Sequence, residues 1–179
     1  MHYASVSFTH KNTDISVREK LSFSNIERKN EILRLISSSQ NINECMVLST
    51  CNRVEIIASV KTVEGASKHI IACMSLICGI PFEELQSRAD IYEDNGAVHH
   101  LFAVASSLDS LVIGETQIAG QLKEAYKFAR ANGKCGAKLG RAMEFAFKCA
   151  AEVRNKTEIS KNPISVSSVA VAKAKEIFG

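Results

Sequence analysis

Residues 44–60, ECMVLSTCNRVEIIASV, contain two apolar runs separated by a short polar connection. Each run, 44–50 and 54–60, has the length of a buried strand. The connection Cys51-Asn52-Arg53 is short enough for a hairpin, which makes the two strands neighbours in one sheet. The stretch therefore predicts a buried hairpin with a cysteine at its turn.

The segments on either side extend this hairpin into a larger sheet. Alternating residues over 2–9 predict a strand, and Ile91-Tyr92 predict a short last strand. Apolar residues at helical spacing over 26–37 and 63–79 predict a helix in each of the two connections. Strand–helix–strand–strand–helix–strand is the order of a ferredoxin-like α+β fold, an antiparallel sheet with helices.

From residue 97 onward the pattern is helical. Apolar spacing predicts one helix that starts near Ile118 and ends at Gly133, and a second helix over 139–153. Pro163 is expected to open a last helix over 165–178. The sheet is therefore predicted to be followed by a helical subdomain.

Composition excludes several classes of protein. The chain has 179 residues, 46% hydrophobic and 23% charged, which is typical of neither a disordered nor a fibrous protein. It contains no run of about 18 apolar residues and no secretion signal at its start, so we expect a soluble cytoplasmic protein without a membrane segment. The six cysteines form no CxxC pair and the five histidines show no zinc spacing, which predicts reduced thiols and no metal.

Basic residues are concentrated in the helical part. Residues 123–161 contain ten Lys and Arg against four Asp and Glu, whereas the whole chain has a formal charge of +3. Such a surface suits a polyanion, and it equally suits a solvated helix face. Charge alone leaves both interpretations open.

Cys51 is the candidate nucleophile, because a thiol at a strand end can be exposed while the sheet holds it rigid. Arg53, two residues on, favours the reactive thiolate form. A cysteine near an arginine in a turn is also often inert, and nucleophilic chemistry needs an acid or base and a polar cradle besides. Of the adjacent His99 and His100, which point about 100° apart on a helix, one at most can share such a site.

The segment 108–118, LDSLVIGETQI, supplies the densest group of polar side chains beside apolar ones. Glu115 falls near a helix N-terminus, where an acidic residue is also favourable for structural reasons. Gln117 and Gln121 are four residues apart and share one helix face. Each residue alone is explained as a cap or a surface amide, and their concentration indicates a binding wall.

These motifs together resemble a known family over the whole chain. They are His10-Lys11 with Arg18-Glu19, LSTCNRVE over 48–55, His100-Leu101-Phe102 with Val104-Ala105, Leu108-Asp109-Ser110, Gly114-Glu115-Thr116-Gln117-Ile118 with Gln121, and the final stretch 165–179. The chain resembles the N-terminal catalytic domain of glutamyl-tRNA reductases, enzymes of tetrapyrrole (porphyrin and haem) biosynthesis. It departs from the family pattern at Ser107, where Gly is usual, and at Asp14, where Pro is common.

The resemblance implies a mechanism. Cys51 would attack the aminoacyl ester of glutamyl-tRNA to give a thioester, which NADPH would reduce to glutamate-1-semialdehyde. His100 matches a histidine important for activity, Arg53 would bind the substrate's side-chain carboxylate, and Glu115 its α-ammonium group. The substrate-binding positions of the family fall on Thr50, Asn52, Arg53, Ser110, Glu115, Thr116, Gln117 and Gln121.

The resemblance also implies parts that this sequence lacks. No Gly-x-Gly-x-x-Gly run occurs, so no cofactor-binding residue is assigned here. We expect residues 1–160 to form the catalytic domain and 161–179 to begin a connecting helix toward an absent NADPH-binding domain. The full-length form is expected to be a homodimer that works with glutamate-1-semialdehyde aminomutase. The fragment alone is then expected to act only as an esterase.

Two other classes of function stay open from the residues. One is a tRNA-binding module, supported by the basic stretch over 123–161. The other is a cysteine hydrolase with an unrelated acyl substrate. Alkylation of Cys51 distinguishes the first from an enzyme, and a requirement for glutamyl-tRNA excludes the second.

Overall fold

The computed structural model describes residues 1–115, 117–160 and 166–178, and these form four strands and eight α-helices. The strands are β1 (His2–Thr9), β2 (Ile42–Ser49), β3 (Arg53–Val60) and β4 (Asp90–Glu93). The helices are α1 (Ile15–Leu21), α2 (Ile26–Ile36), α3 (Ala66–Cys78), α4 (Phe82–Arg88), α5 (Asn95–Ala105), α6 (Gln117–Ala131), α7 (Ala137–Lys156) and α8 (Val166–Phe178). A short 3-10 helix, Glu158–Ser160, follows α7.

The sheet has the strand order β2-β3-β1-β4, and every neighbouring pair is antiparallel. This is the ferredoxin-like arrangement, in which β3 lies between the two strands that flank the first connection. The predicted α+β fold and the predicted hairpin are both confirmed. The turn between β2 and β3 lies at the end of the sheet where β1 also ends, because Thr9 pairs with Arg53.

The central strand β1 is buried on both of its faces. Ala4, Val6 and Phe8 belong to the hydrophobic core, whereas the alternate residues Ser5 and Ser7 are fully buried as well. Because side chains alternate along a strand, the serines lie on the opposite face, with their β3 partners Ile57 and Glu55. One face of the sheet thus carries buried polar groups, and α5 packs against it.

The helical part is continuous with the sheet. The Glu44 carboxylate on β2 accepts hydrogen bonds from the backbone N–H groups of Lys138 and Leu139, at 3.1 and 2.7 Å, in the first turn of α7. A negative group there satisfies free N–H groups and complements the helix dipole. Leu122 of α6 and Leu139 of α7 belong to the same apolar cluster as the strands. The predicted helical subdomain therefore shares one core with the sheet.

Two helical details differ from the prediction. Helix α4 was not predicted; it has seven residues and buries only Leu85, too little for a periodic pattern. Helix α3 starts at Ala66 instead of residue 63, because Gly65 has a φ of +72° and interrupts the helical backbone. The described part of α8 matches the predicted last helix, while Ser165 lies outside the described residues. Among the described helices, none is long and apolar enough to cross a membrane.

Candidate active site

The turn between β2 and β3 presents Cys51. Thr50 and Arg53 close the turn through a backbone hydrogen bond of 2.8 Å, which leaves Cys51 and Asn52 as its two central residues. The Thr50 hydroxyl accepts from the backbone N–H groups of Asn52 and Arg53, at 3.2 and 3.1 Å. All six cysteines lie in the described residues, and Cys51 is the only exposed one among them. The sheet therefore holds one accessible thiol on a rigid turn.

The loop over 106–115 faces this turn. Within the loop, the backbone N–H of Gly114 donates to the carbonyl of Ser107 at 3.0 Å, and the Ser107 hydroxyl donates to the carbonyl of Glu115. Ser107 has a φ of +61°, a left-handed conformation that glycine adopts readily. The family's usual Gly at this position thus suits the same backbone, and the serine adds a hydrogen bond.

The other departure, Asp14, also keeps the backbone of the family pattern. Its φ of −62° is a value that proline adopts. Its carboxylate lies 3.1 Å from Nη1 of Arg88. Neither departure changes a residue that lines the cleft described next.

A cleft separates the turn from the loop and the start of α6. Its lining residues are His10, Thr50, Cys51, Asn52, Arg53, Ser110, Leu111, Glu115, Gln117, Ile118 and Gln121. Eight of the ten sequence-predicted site residues are therefore brought together. Thr116 lies outside the described residues, and His100 is not part of the lining.

His100 lies in a buried charge cluster formed by Arg53, Glu55, His100 and Asp109. It is 5% exposed. Its Nε2 lies 2.9 Å from Oε1 of Glu55, and its Nδ1 lies 3.8 Å from Oδ2 of Asp109. The ring stacks on Tyr92, with centroids 4.0 Å apart. His100 thus contacts the partners of Arg53, which favours a role in positioning Arg53 over direct contact with a substrate.

Arg53 occupies the boundary between the charge cluster and the cleft. Its Nη1 lies 3.3 Å from Oε2 of Glu55, and its Nη2 lies 3.1 Å from Oδ2 of Asp109 and donates to the Asp109 carbonyl. The side chain is 4% exposed. Both terminal nitrogens are therefore engaged by the chain itself. A substrate carboxylate on Arg53 would have to share the guanidinium with Asp109.

The carboxylates of this cluster are held in their charged form. Burial raises the pKa of Glu55, but His100, Arg53 and the Ser5 hydroxyl more than offset it and leave the pKa below its ordinary value. Burial likewise raises the pKa of Asp109, but Lys11 and Arg53 together lower it by more, so the pKa lies below its ordinary value. Lys11 Nζ lies 2.5 Å from Oδ1 of Asp109.

These two lowered pKa values predict a loss of stability in acid. A carboxyl whose pKa is lower in the folded than in the unfolded chain stabilises the fold fully above the unfolded value, about 4. The contribution is lost as the pH falls below that value through the folded pKa. The part of the urea midpoint that these two carboxylates support should therefore be constant from pH 7 to about pH 5 and then decline. The decline should be shallower in Asp109→Asn, and a midpoint in the parent that stays level down to about pH 3 would contradict this account.

Gly114 anchors the loop against the segment that follows α7. It has a φ of +86°, and a Cβ at this position would lie 2.2 Å from the carbonyl oxygen of Ile159. A side chain here is thus both strained in its backbone and in collision with another backbone. The cleft wall and the start of the C-terminal segment are packed together at this point.

Gly114→Ala is expected to destabilise the chain by more than the roughly 1–3 kcal/mol that a strained backbone costs alone. The matched control is Gly65→Ala, since Gly65 also has a positive φ, +72°, but a Cβ there meets nothing within 4 Å. Urea unfolding of both variants separates the strain from the collision with Ile159. Equal losses in the two variants would show that the contact with Ile159 is unimportant.

Sequence reasoning missed two groups of residues at this site. His10, Leu111 and Ile118 line the cleft without having been assigned to it. The second missed group is Glu55 and Asp109, which form ion pairs with Arg53. A signal existed for Glu55, because a carboxylate two residues after Arg53 in an apolar strand must share its buried face. No cluster of three or more His, Cys, Asp or Glu side chains suited to a metal ion occurs in the described residues.

The fold and the cleft define a ferredoxin-like α+β domain with an exposed thiol facing a polar wall. A family model described as the N-terminal domain of glutamyl-tRNA(Glu) reductase matches residues 6–157, and the chain belongs to this family.

Relatives support the same assignment. A glutamyl-tRNA reductase from Campylobacter concisus is 68% identical over 179 residues, which are 100% of this chain and 42% of that protein. One from Campylobacter fetus has the same identity and coverage. The solved structure of glutamyl-tRNA reductase from Methanopyrus kandleri matches 97% of this chain and 39% of that chain, with a TM-score of 0.72 and 29% identity. The chain thus spans less than half the length of these relatives.

Proposed function

We propose that this chain is the part of a glutamyl-tRNA reductase that binds glutamyl-tRNA and forms the thioester. The observation that carries the proposal is the cleft, where the exposed Cys51 faces Ser110, Glu115, Gln117 and Gln121. The rigid turn supports it further, because an accessible thiol held by a sheet can be approached in one orientation. Reductases of this family act in tetrapyrrole biosynthesis, and the chain is proposed to act there.

The proposed reaction starts at the Cys51 sulfur. The thiolate attacks the carbonyl carbon of the aminoacyl ester, and the bond to the tRNA ribose breaks, which leaves a thioester on the protein and free tRNA. A thioester carbonyl accepts hydride more readily than an ester, because sulfur donates less resonance into it. This explains why a reductase would first move its substrate onto a cysteine.

The cleft residues have proposed roles in holding the glutamyl group. Glu115 suits its α-ammonium group, and the amides of Asn52, Gln117 and Gln121 can donate to its oxygens or accept from its nitrogen. Arg53 is proposed to bind the side-chain carboxylate by sharing its guanidinium with Asp109. Thr50, Ser110 and Thr116 complete the proposed substrate contacts.

The usual dinucleotide-binding motif does not occur in this sequence. Its nine glycines form no Gly-x-Gly-x-x-Gly run, the pattern that lets a backbone approach a pyrophosphate. The reduction by NADPH is therefore assigned, as a proposal, to a part of the reductase beyond residues 1–160, with 161–179 leading toward it. Dimerisation and cooperation with glutamate-1-semialdehyde aminomutase are proposed for the same larger protein.

The tRNA is proposed to contact the basic helices. Lys123, Lys127 and Arg130 are exposed on α6 at positions i, i+4 and i+7, which place them on one face of the helix. Gln117 and Gln121, at the start of the same helix, line the cleft. A phosphate backbone along this face would bring the aminoacyl end of a tRNA toward Cys51.

The chain should hydrolyse glutamyl-tRNA without reducing it. Acylated Cys51 has no bound hydride donor, so water is the remaining acceptor and free glutamate is the expected product. Labelled glutamyl-tRNA is incubated with the chain, with and without NADPH, against a blank that lacks protein. Glutamate release above the blank and equal in both reactions supports the proposal. Semialdehyde that depends on NADPH would reveal a cofactor site in this chain. Release no faster than the blank, with no glutamyl group retained on Cys51, would refute the proposed function.

A further inference from the structure

We propose that His10 is the catalytic histidine beside Cys51, which accepts the thiol proton and returns it to the departing ribose oxygen. This inference rests on the proposed thioester chemistry. The two histidines then have different roles, because His100 contacts Glu55 and Asp109 in the buried charge cluster and positions Arg53.

His10 lies next to the turn that carries Cys51. His10 directly follows β1, and its backbone N–H donates to the carbonyl of Asn52 at 3.2 Å, which ties it to the turn that carries Cys51. His10 is half-buried and lines the cleft together with Cys51 and Arg53. His10 therefore lies at the cleft in which a thiol and a bound ester would meet.

The other four histidines are not among the residues that line the cleft. All five lie in the described residues, and His10 is the only one that lines the cleft. His2 pairs with Asp94 at 3.0 Å, and the His69 ring contacts the carbonyl of Ile36. His99 is exposed on α5, and His100 is buried against Glu55.

The environment of His10 favours its neutral form. Partial burial lowers its pKa, and the cations Lys11, Arg18 and Arg53 lower it further, while Asp109 opposes them with a smaller effect. The groups come from the residue next to it, from α1, from β3 and from the 106–115 loop. A pKa below the ordinary value of about 6.5 leaves the imidazole neutral at pH 7, the form that accepts a proton.

The proposed step balances in protons and electrons. Neutral His10 takes the proton from the Cys51 thiol, and the thiolate electron pair forms the bond to the ester carbonyl carbon. As the tetrahedral intermediate collapses, the carbon–oxygen bond to the ribose breaks and its electron pair stays on the ribose oxygen. Protonated His10 gives that oxygen its proton, so the products are the thioester, a ribose hydroxyl and neutral His10.

The test measures single-turnover acylation of Cys51 by glutamyl-tRNA across a range of pH. His10→Gln is expected to slow acylation by about 100-fold at pH 7, because general acid–base catalysis contributes at least that factor. The parent rate should be level near neutral pH and fall in acid as His10 is protonated, whereas the variant rate should rise with pH throughout. The matched control is His99→Gln, which changes an exposed histidine outside the cleft and should acylate like the parent.

A second variant distinguishes chemistry from structure. His10→Ala should recover acylation when free imidazole is added, and its affinity for uncharged tRNA should equal that of the parent. Acylation at the parent rate in His10→Gln would overturn the inference and leave the proposed function intact. A slow His10→Ala variant without imidazole rescue would overturn it too, since His10 would then have only a structural role. Absence of acylation in the parent itself would refute both the inference and the proposed function.

Discussion

Cys51→Ser is expected to abolish the turnover of glutamyl-tRNA by this chain. The substitution keeps the size of the side chain but replaces the thiol with a hydroxyl, a far weaker nucleophile at neutral pH. Loss of the nucleophile in a serine protease lowers the rate by roughly 10⁶-fold, and an effect on that scale is expected here. Because Cys51 is exposed, the urea midpoint should be unchanged. The measurement is the release of labelled glutamate by parent and variant.

Cys149→Ser is the matched control for this experiment. Cys149 is a half-buried thiol on α7 and is not among the residues that line the cleft. Its variant should release glutamate at the parent rate. A Cys51→Ser variant that keeps the parent rate would show that hydrolysis has another origin.

The second large effect is expected from the charge cluster. Arg53→Met should destabilise the chain by about 3–5 kcal/mol, because it leaves the Glu55 carboxylate buried without its guanidinium partner. Glu55 is fully buried, and its remaining neighbours, His100 and the two serines of β1, replace only part of the lost interaction. Urea unfolding at pH 7 measures the loss.

A double-mutant cycle shows whether the loss of stability in Arg53→Met comes from its ion pair with Glu55. Arg53→Met together with Glu55→Leu removes both charges, so it should cost less than the sum of the two single variants. The exposed pair of Lys127 and Glu124, 3.0 Å apart on α6, is the control, and Lys127→Met should change stability by less than about 1 kcal/mol. Additive losses at Arg53 and Glu55, or an Arg53→Met variant as stable as Lys127→Met, would contradict the charge cluster as described.

The sheet could be predicted from sequence because its signals are local. Alternation over β1 and two apolar runs around a short turn are visible in a few residues each. Helix α4 could not be predicted in this way, since its one buried residue, Leu85, makes no pattern. The start of α3 depended on the positive φ at Gly65, a property that glycine permits but does not require.

The candidate site was predicted only where its residues are close in sequence or belong to a family motif. One turn contains Thr50, Cys51 and Asn52. A motif that identifies one of these residues as part of the site therefore identifies its neighbours as well. In the charge cluster, Arg53 pairs with Asp109 across 56 positions, and Asp109 also pairs with the exposed Lys11 across 98. Such pairings depend on the three-dimensional arrangement of the strands and the 106–115 loop, which composition and spacing do not specify. His100 was assigned a catalytic role from its family motif alone, and the structure adds that it lies in the buried charge cluster beside Glu55 and Asp109.

The most direct test of the proposed chemistry is the mass of the chain after a short incubation with glutamyl-tRNA and quenching in acid. The account predicts a gain of one glutamyl group per chain, located on the peptide that contains Cys51 and removed by hydroxylamine, which cleaves thioesters. An unmodified chain, or a glutamyl group on a peptide that lacks Cys51, would contradict the account.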